Sequence, residues 1–314
     1  MHTPEILTIT LNPALDVSTS TDKVVDTHKL RCAAAQFHPG GGGINVARVL
    51  HRLGSRCLAI YPSGGVTGER LGQMLDQEQV PRHCWRIAGE TRESFSVHET
   101  SSGNDFRFVL PGPSLEAAEW QACLDYVSGL ATPPRDVVAS GSLPPGVPPD
   151  FYARLARLAK ARGSRMVVDA SGPALVAALA EGVYLFKPSL RELRELTGQP
   201  LENTAQQREA AQDIIAQGQA EIVALSLGAD GALLVTANKA LRASALQVQV
   251  ASTIGAGDSF VGGLVWALNR GQGLDDAFRH GMAASAAALL TPGTALCQPS
   301  DVERFSREVI VTPA

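Results

Sequence analysis

Short apolar runs recur along the chain, most of them closed by a polar or proline-bearing turn. Residues 6–11 read as a buried strand stopped by Asn12 and Pro13, which cannot continue it. From residue 136 the alternation becomes regular. Strands are predicted at 136–140, 165–169, 184–187 and 221–226, with a return strand at 232–236. Between them the spacing predicts a rigid loop at 141–146, a helix over about 151–162, and a further helix after Pro188 that carries Glu192 and Glu195. Residues 261–268 and the alanine-rich 274–290 read as helices, the second with small side chains suited to close packing. Strands alternating with helices predict an α/β fold with a mostly parallel sheet covered on both faces.

Two stretches break this rhythm. Residues 17–37 show short mixed pieces with no helical period, and the texture returns at 94–99 and 106–109 around Ser101-Ser102-Gly103-Asn104, a hairpin turn. These insertions, at about 16–38 and 91–111, predict a small β sheet standing off a single domain that spans residues 1–314. Such a sheet has too little apolar cover alone and must bury one face, over a ligand or against a second subunit. A homodimer joined through it is therefore expected.

Candidate chemistry sits in three places. Gly255, Ala256 and Gly257 precede Asp258 at the start of the predicted 261–268 helix. Two glycines allow a tight turn that points several N–H groups at one spot, and the helix terminus adds partial positive charge there. An anion hole beside a carboxylate suits phosphoryl transfer to a hydroxyl, although an acid in the first turn also caps many helices with no further role. Gly40, Gly41, Gly42 and Gly43 open a second helix, closed by Gly54 as a C′ residue, and again offer bare amides. Asp16 follows the first strand at its C-terminal end, where open α/β sheets place their ligands. No G-x-G-x-x-G dinucleotide fingerprint occurs in the glycine cluster and no Gly-Lys pair occurs anywhere, so neither a nicotinamide dehydrogenase nor a P-loop is indicated.

Composition removes other classes. With 27 basic against 31 acidic residues and no basic block, nothing recommends nucleic acid or an anionic membrane as partner. Five cysteines without C-x-x-C spacing argue against a disulfide framework or zinc site and for reduced thiols. The first apolar run is too short for a signal peptide, and no run approaches a membrane span, so the cytoplasm is expected.

Taken in order, PGGGGINVAR (39–48), KLRC (29–32), SGSLPPGV (140–147), SLG (226–228) and TIGAGDS (253–259) resemble the PfkB family of ribokinase-fold sugar kinases, and within it the 6-phosphofructokinase branch. The resemblance implies ATP-dependent phosphorylation of fructose 6-phosphate at its 1-hydroxyl to fructose 1,6-bisphosphate. It implies Asp258 as general base, with Gly255, Ala256 and Gly257 as the anion hole. Asp16, the glycines 40–43, Asn45 and Ser142 would bind the sugar, while Lys29, Arg92 and Arg107 would meet its phosphate. Arginine suits that task because its planar fork matches phosphate geometry. The nucleotide would be held by Ser226, Gly228, Ala229, Asp230, Gly231 and Thr253, with Lys187 and Ser189 near its phosphates and Glu192 reaching Mg²⁺, through water. A monovalent cation, K⁺, would be held by carbonyls near Ser252, Ile254, Ala288, Thr291 and Gly293.

Two positions depart from the family pattern. Ser189 stands where Asn-x-x-Glu is common, and Ala295 where the nearest relatives tend to carry Arg. Kinases of fructose 1-phosphate typically read Ala-Gly-Lys-Gly in place of Gly40 to Gly43, so the absent lysine favours fructose 6-phosphate. Tagatose 6-phosphate is not separated by sequence. A catalytically silent sugar-phosphate-binding regulator on the same fold is disfavoured by the intact Asp258.

Overall fold

Val137, Val138 and Ala139, like Met166, Val167 and Val168, show no polar alternation because both faces of their strands are covered. The computed structural model describes residues 4–314. The first part comprises β1 (Ile6–Ile9), β2 (Ala14–Thr21), β3 (Gln36–Gly40), α1 (Gly42–Arg52), β4 (Cys57–Ser63), α2 (Gly65–Gln77) and β5 (Arg82–Arg86). The hairpin β6 (Arg92–Glu99) and β7 (Asp105–Val109) precedes α3 (Ala117–Gly129). Then come β8 (Asp136–Ser140), α4 (Phe151–Ala161), β9 (Arg165–Asp169), α5 (Gly172–Ala180), β10 (Val183–Phe186), α6 (Leu190–Thr197), α7 (Thr204–Ala216) and β11 (Ala220–Ser226). The last part holds β12 (Ala232–Val235), β13 (Ala240–Ala243), α8 (Ala256–Asn269), α9 (Leu274–Leu289), α10 (Pro299–Ser306) and β14 (Val311–Pro313).

The main sheet runs β14-β13-β12-β11-β10-β9-β8-β1-β4-β5. Strands β11 through β5 in that order are parallel, and β12, β13 and β14 close one edge antiparallel. Helices α1, α8 and α9 cover one face and α3, α4, α5 and α7 the other, giving two large apolar cores. The chain leaves β1 for β4 on one side and later reaches β8 on the other. The crevice beyond β1 and β8 is thus a topological switch point, where doubly wound sheets bind ligands.

The two insertions form a separate four-stranded sheet, β3-β2-β6-β7. Its central pair, β2 and β6, is parallel with Asp16 opposite Ser94, and the flanking pairs are antiparallel. Asp16 therefore belongs to the lid sheet, not to the loop that ends β1 as its sequence position suggested. The lid turns Phe95 and Phe108 outward, where each is more than a third exposed, while Val109 shares the cleft face of its strand with Arg107.

The alanines of α9 are used for packing, as their size suggested. Ala283, Ala284 and Ala287 are buried against α8, and the glycines of α8 let the helices close. A Cβ on Gly262 would sit 2.5 Å from Val49 of α1, and one on Gly263 would sit 2.5 Å from the His280 carbonyl of α9. Alanine at Gly263 gains helix propensity, but the contact it meets is backbone and cannot swing aside. Gly263→Ala is expected to destabilise the fold by about 1–2 kcal/mol, read as a lowered urea midpoint. An unchanged or raised midpoint would mean that α8 and α9 separate without cost.

Candidate active site

A cleft of about 390 Å³ opens at the C-terminal ends of the parallel strands, under the lid. Its floor comes from Ser140, Gly141 and Ser142 after β8, Asp169 at the end of β9 and Lys187 after β10. The lid contributes Ala14, Asp16, Arg92, Ser94 and Arg107, and the start of α8 with its preceding loop contributes Thr253, Ile254, Gly255, Gly257 and Asp258.

Helix α8 begins at Ala256, several residues earlier than the apolar pattern predicts, so Asp258 lies in its first turn. Gly255 takes a left-handed conformation at φ 79°, and a side chain there would meet Leu296 at 2.5 Å. The Ser259 amide finds the Gly255 carbonyl at 2.8 Å. Ala256 reaches Thr253 only at 3.5 Å, and the amides of Gly257 and Asp258 have no backbone acceptor among the described residues. Those bare donors face the cleft beside an ammonium: a Cβ on Gly257 would lie 3.7 Å from Nζ of Lys187.

Lys187 is buried and pairs with Asp169 at 3.1 Å. Burial alone would lower its pKa, but Asp169, Glu192 and Asp258 together hold it above the ordinary lysine value, so it stays charged. Asp169 is raised by burial despite that partner. Asp258 is pushed up to about 6, first by burial and then by the charge of Asp169, with Asp16 adding to the rise. Asn45 works the other way, donating from Nδ2 to Asp258 Oδ2 at 2.8 Å, and Lys187 assists it. Asp16 is also raised by burial, and the charges of Arg107, Arg48 and Arg92 act against the rise.

The four adjacent glycines divide their work. A Cβ on Gly40 would strike the Asp16 carboxylate at 2.2 Å, and one on Gly42 would strike Ser140 Oγ at 2.2 Å. Gly41 turns the chain into α1 at φ 109°. Gly43 faces away from the cleft, its missing side chain making room for the Ile9 carbonyl at 2.5 Å. Three of the four thus shape the cleft wall, while Gly43 seats α1 against β1.

The two lid arginines differ. Arg92 donates to the carbonyls of Leu110 at 2.9 Å and Asn12 at 3.0 Å, which ties the lid to the main domain. Arg107 is exposed in the cleft and has no hydrogen-bond or ion-pair partner among the described residues, so its whole fork is available. Lys29 is not brought to the cleft in this chain; it lies on the exposed loop between β2 and β3.

Ser189 caps α6 in a capping box: its amide and hydroxyl both donate to Glu192 Oε2 at 2.8 Å, and Glu192 lines the cleft. Ser226 bridges to Ser189 across the sheet end and donates to the Pro188 carbonyl at 3.2 Å. Beyond it Gly228, Ala229 and Asp230 form an exposed turn, and Gly231 is buried at φ 93° against the Ala243 carbonyl. The loops 251–254 and 291–296 meet at the other side. Ala251 and Ser252 donate to the Leu289 carbonyl, and the Ala288 carbonyl accepts from the Thr291 amide and hydroxyl at 3.2 and 3.0 Å. Gly293 and Ile254 line a neighbouring cavity under the lid.

Sequence reasoning passed over Asp169, Ser140, Asn12 and Arg48. Asp169 ends a strand as Asp16 was thought to, so the same rule would have found it. Asn12, which donates to Ser142 Oγ at 3.1 Å, looked like a strand stop.

The pfkB family carbohydrate kinase signature matches residues 10–301. The chain is 48% identical over 302 residues to ATP-dependent 6-phosphofructokinase isozyme 2 of Mycobacterium tuberculosis, covering 96% of this chain and 89% of that one. It is 36% identical over 277 residues to 1-phosphofructokinase of Xanthomonas campestris, covering 87% and 85%. Two crystal structures of phosphofructokinase-2 from Escherichia coli superpose over 98% of this chain and 99% of theirs. The complex with fructose-6-phosphate gives a TM-score of 0.91 at 39% identity, and the complex with potassium 0.92 at 40%. At this identity and coverage the chain belongs to the pfkB family of carbohydrate kinases and is a phosphotransferase acting on an alcohol group.

Proposed function

We propose that the enzyme transfers the γ-phosphoryl group of ATP to the 1-hydroxyl of fructose 6-phosphate, giving fructose 1,6-bisphosphate. The observation that carries this is the meeting of one raised carboxylate, Asp258, with bare amides and the Lys187 ammonium. Asp258 orients the sugar hydroxyl and takes its proton, while the amides of Ala256 to Asp258 and Lys187 meet the charge on the moving phosphoryl oxygens. Asp16, Asn45, Ser142 and the walls cut by Gly40, Gly41 and Gly42 hold the sugar hydroxyls. Arg107, with Arg92 beside it, takes the existing 6-phosphate. The turn at 226–231 carries the nucleotide, with Thr253 on its other side. The relatives' fructose-6-phosphate and ATP support this choice.

Magnesium fits the residues present. Glu192 spends Oε2 on Ser189 and keeps Oε1 for a metal-bound water, as suits a hard cation that travels with phosphates. Bound there, it would screen charge on the phosphoryl oxygens. Neutral carbonyls near Ser252, Ile254, Thr291 and Gly293 suit potassium, with Ala288 already accepting twice from Thr291. The enzyme works in the cytoplasm on this reading, in keeping with its free cysteines and with the absence, among the described residues, of a helix able to cross a membrane.

ADP release, followed with fructose 6-phosphate, fructose 1-phosphate and tagatose 6-phosphate, tests the assignment. Preference for fructose 1-phosphate would move the chain to the chemistry of its Xanthomonas relative. Release with none of the three would leave a sugar-phosphate-binding regulator.

Asp258→Asn is expected to bind both substrates and lose about 10²–10⁴ in kcat. In the parent enzyme kcat/KM should fall tenfold per pH unit below about 6, because protonating Asp258 removes the base, and stay level above it. Near-normal turnover of the variant would reject the role.

Arg107→Ala and Arg92→Ala should each raise KM for the sugar phosphate by about tenfold or more and leave KM for ATP within about threefold. Equal effects on both substrates would remove that arginine from the phosphate pocket.

The outward Phe95 and Phe108, 6.3 Å apart between ring centres, are expected to pack against a second copy of the lid. Light scattering should report a dimer that Phe108→Glu dissociates. A monomeric parent would refute lid pairing.

A further inference from the structure

Arg48 is wholly buried on α1 and does not line the cleft. A buried guanidinium is costly unless every donor is used. Here they are used. Nε and Nη2 hold Glu78, at the end of α2, at 2.9 and 2.6 Å, and Nη1 donates to the carbonyls of Thr294 at 2.8 Å and Pro39 at 3.0 Å. The same nitrogen, its two hydrogens given to those carbonyls, also lies 3.5 Å from Asn45 Oδ1, one turn back along α1, a longer contact in which its charge faces the amide oxygen.

We propose that Arg48 is a positioning residue that fixes the side-chain amide of Asn45 and, through it, the Asp258 carboxylate. The amide lies between a donor and an acceptor. With Arg48 on its oxygen side, only one orientation presents Nδ2 to Asp258, at 2.8 Å. Arg48 also pins Pro39, next to the cleft-lining glycines, and Thr294, which lines the cleft, so three walls of the sugar site share one guanidinium. The inference rests on Asp258 acting as the base. The groups that face Asp258 are Asp169 from β9, Lys187 after β10, Asp16 from β2 and Asn45 from α1.

Arg48→Lys keeps the charge and removes the fork. The expected result is a fall in kcat of about 10- to 100-fold with KM for ATP within about threefold, since Asn45 no longer steadies the base. The acid limb of kcat/KM should also move to higher pH, by about half to one unit, because Asp258 loses an oriented donor to its charged form. In an Asn45→Ala background the same substitution should add less than about twofold, because the two act in series. Loss of packing alone would lower the folded fraction without moving the limb. If the lysine variant does not fold, Glu78→Gln decides: it loosens Arg48 from a partly exposed site and should move the limb the same way. An unmoved limb in whichever variant folds, or effects that multiply with Asn45→Ala, would overturn the proposal. Asp258→Asn in parallel separates the failures. Near-normal turnover there removes the base and this inference with it, whereas lost turnover there with an unmoved limb removes this inference alone.

Discussion

The site depends on one buried ammonium shared by two partly buried carboxylates that line the cleft. Lys187 pairs with Asp169 and lies beside the turn that carries Asp258. Burying three such charges costs several kcal/mol per ion unless they lie close and are hydrogen-bonded. That demand sets the architecture: β9 and β10 must be neighbours, and α8 must begin above their ends. Burial first, and then the second acid beside the one cation, lift Asp258 to about 6. A carboxylate of that strength is still ionised near neutrality and accepts a proton more readily than an ordinary aspartate would.

Close approach of backbone is the second condition. The glycines at 40 and 42 leave space that an Asp16 carboxylate and a Ser140 hydroxyl border. Their value lies in what a methyl group would displace. The same means closes the helix that carries Asp258 onto α1 and α9, at Gly262 and Gly263. The lid completes the arrangement, since Arg92 fastens its base to the carbonyl of Asn12 and Arg107 is left unengaged.

The parallel core was legible because strands buried on both faces read as unbroken apolar runs, as in residues 136–140 and 165–169. The antiparallel edge was less so: β13 and β14 are three or four residues long and carry no period. Helix α5 escaped because Gly172–Ala180 is apolar on every side, leaving no amphipathic stripe to count. Among site residues, the motif around Asp258 was readable from local turn chemistry. Arg48 was not, because a charged residue inside a helix suggests a solvent face, and its partners Glu78 and Thr294 lie 30 and 246 residues away. Lys29 is the converse: its motif is local, and within one chain it lies on an exposed loop outside the cleft.

The two departures from the family pattern are absorbed locally. Serine at 189 caps α6 as an asparagine could, and its shorter side chain keeps the bond to Glu192 within the capping box. One carboxylate oxygen is thereby left at the cleft without a protein partner among the described residues. At 295, Arg52 donates to the carbonyls of Ala295 and Cys297, at 2.5 and 3.2 Å, while Arg48 holds that of Thr294. Those bonds engage backbone, so they hold whatever side chain stands at 295. Positive charge near the loop is thus supplied from α1, through residues that also pair with Glu78, and the loop's position is set by the helix that carries Asn45.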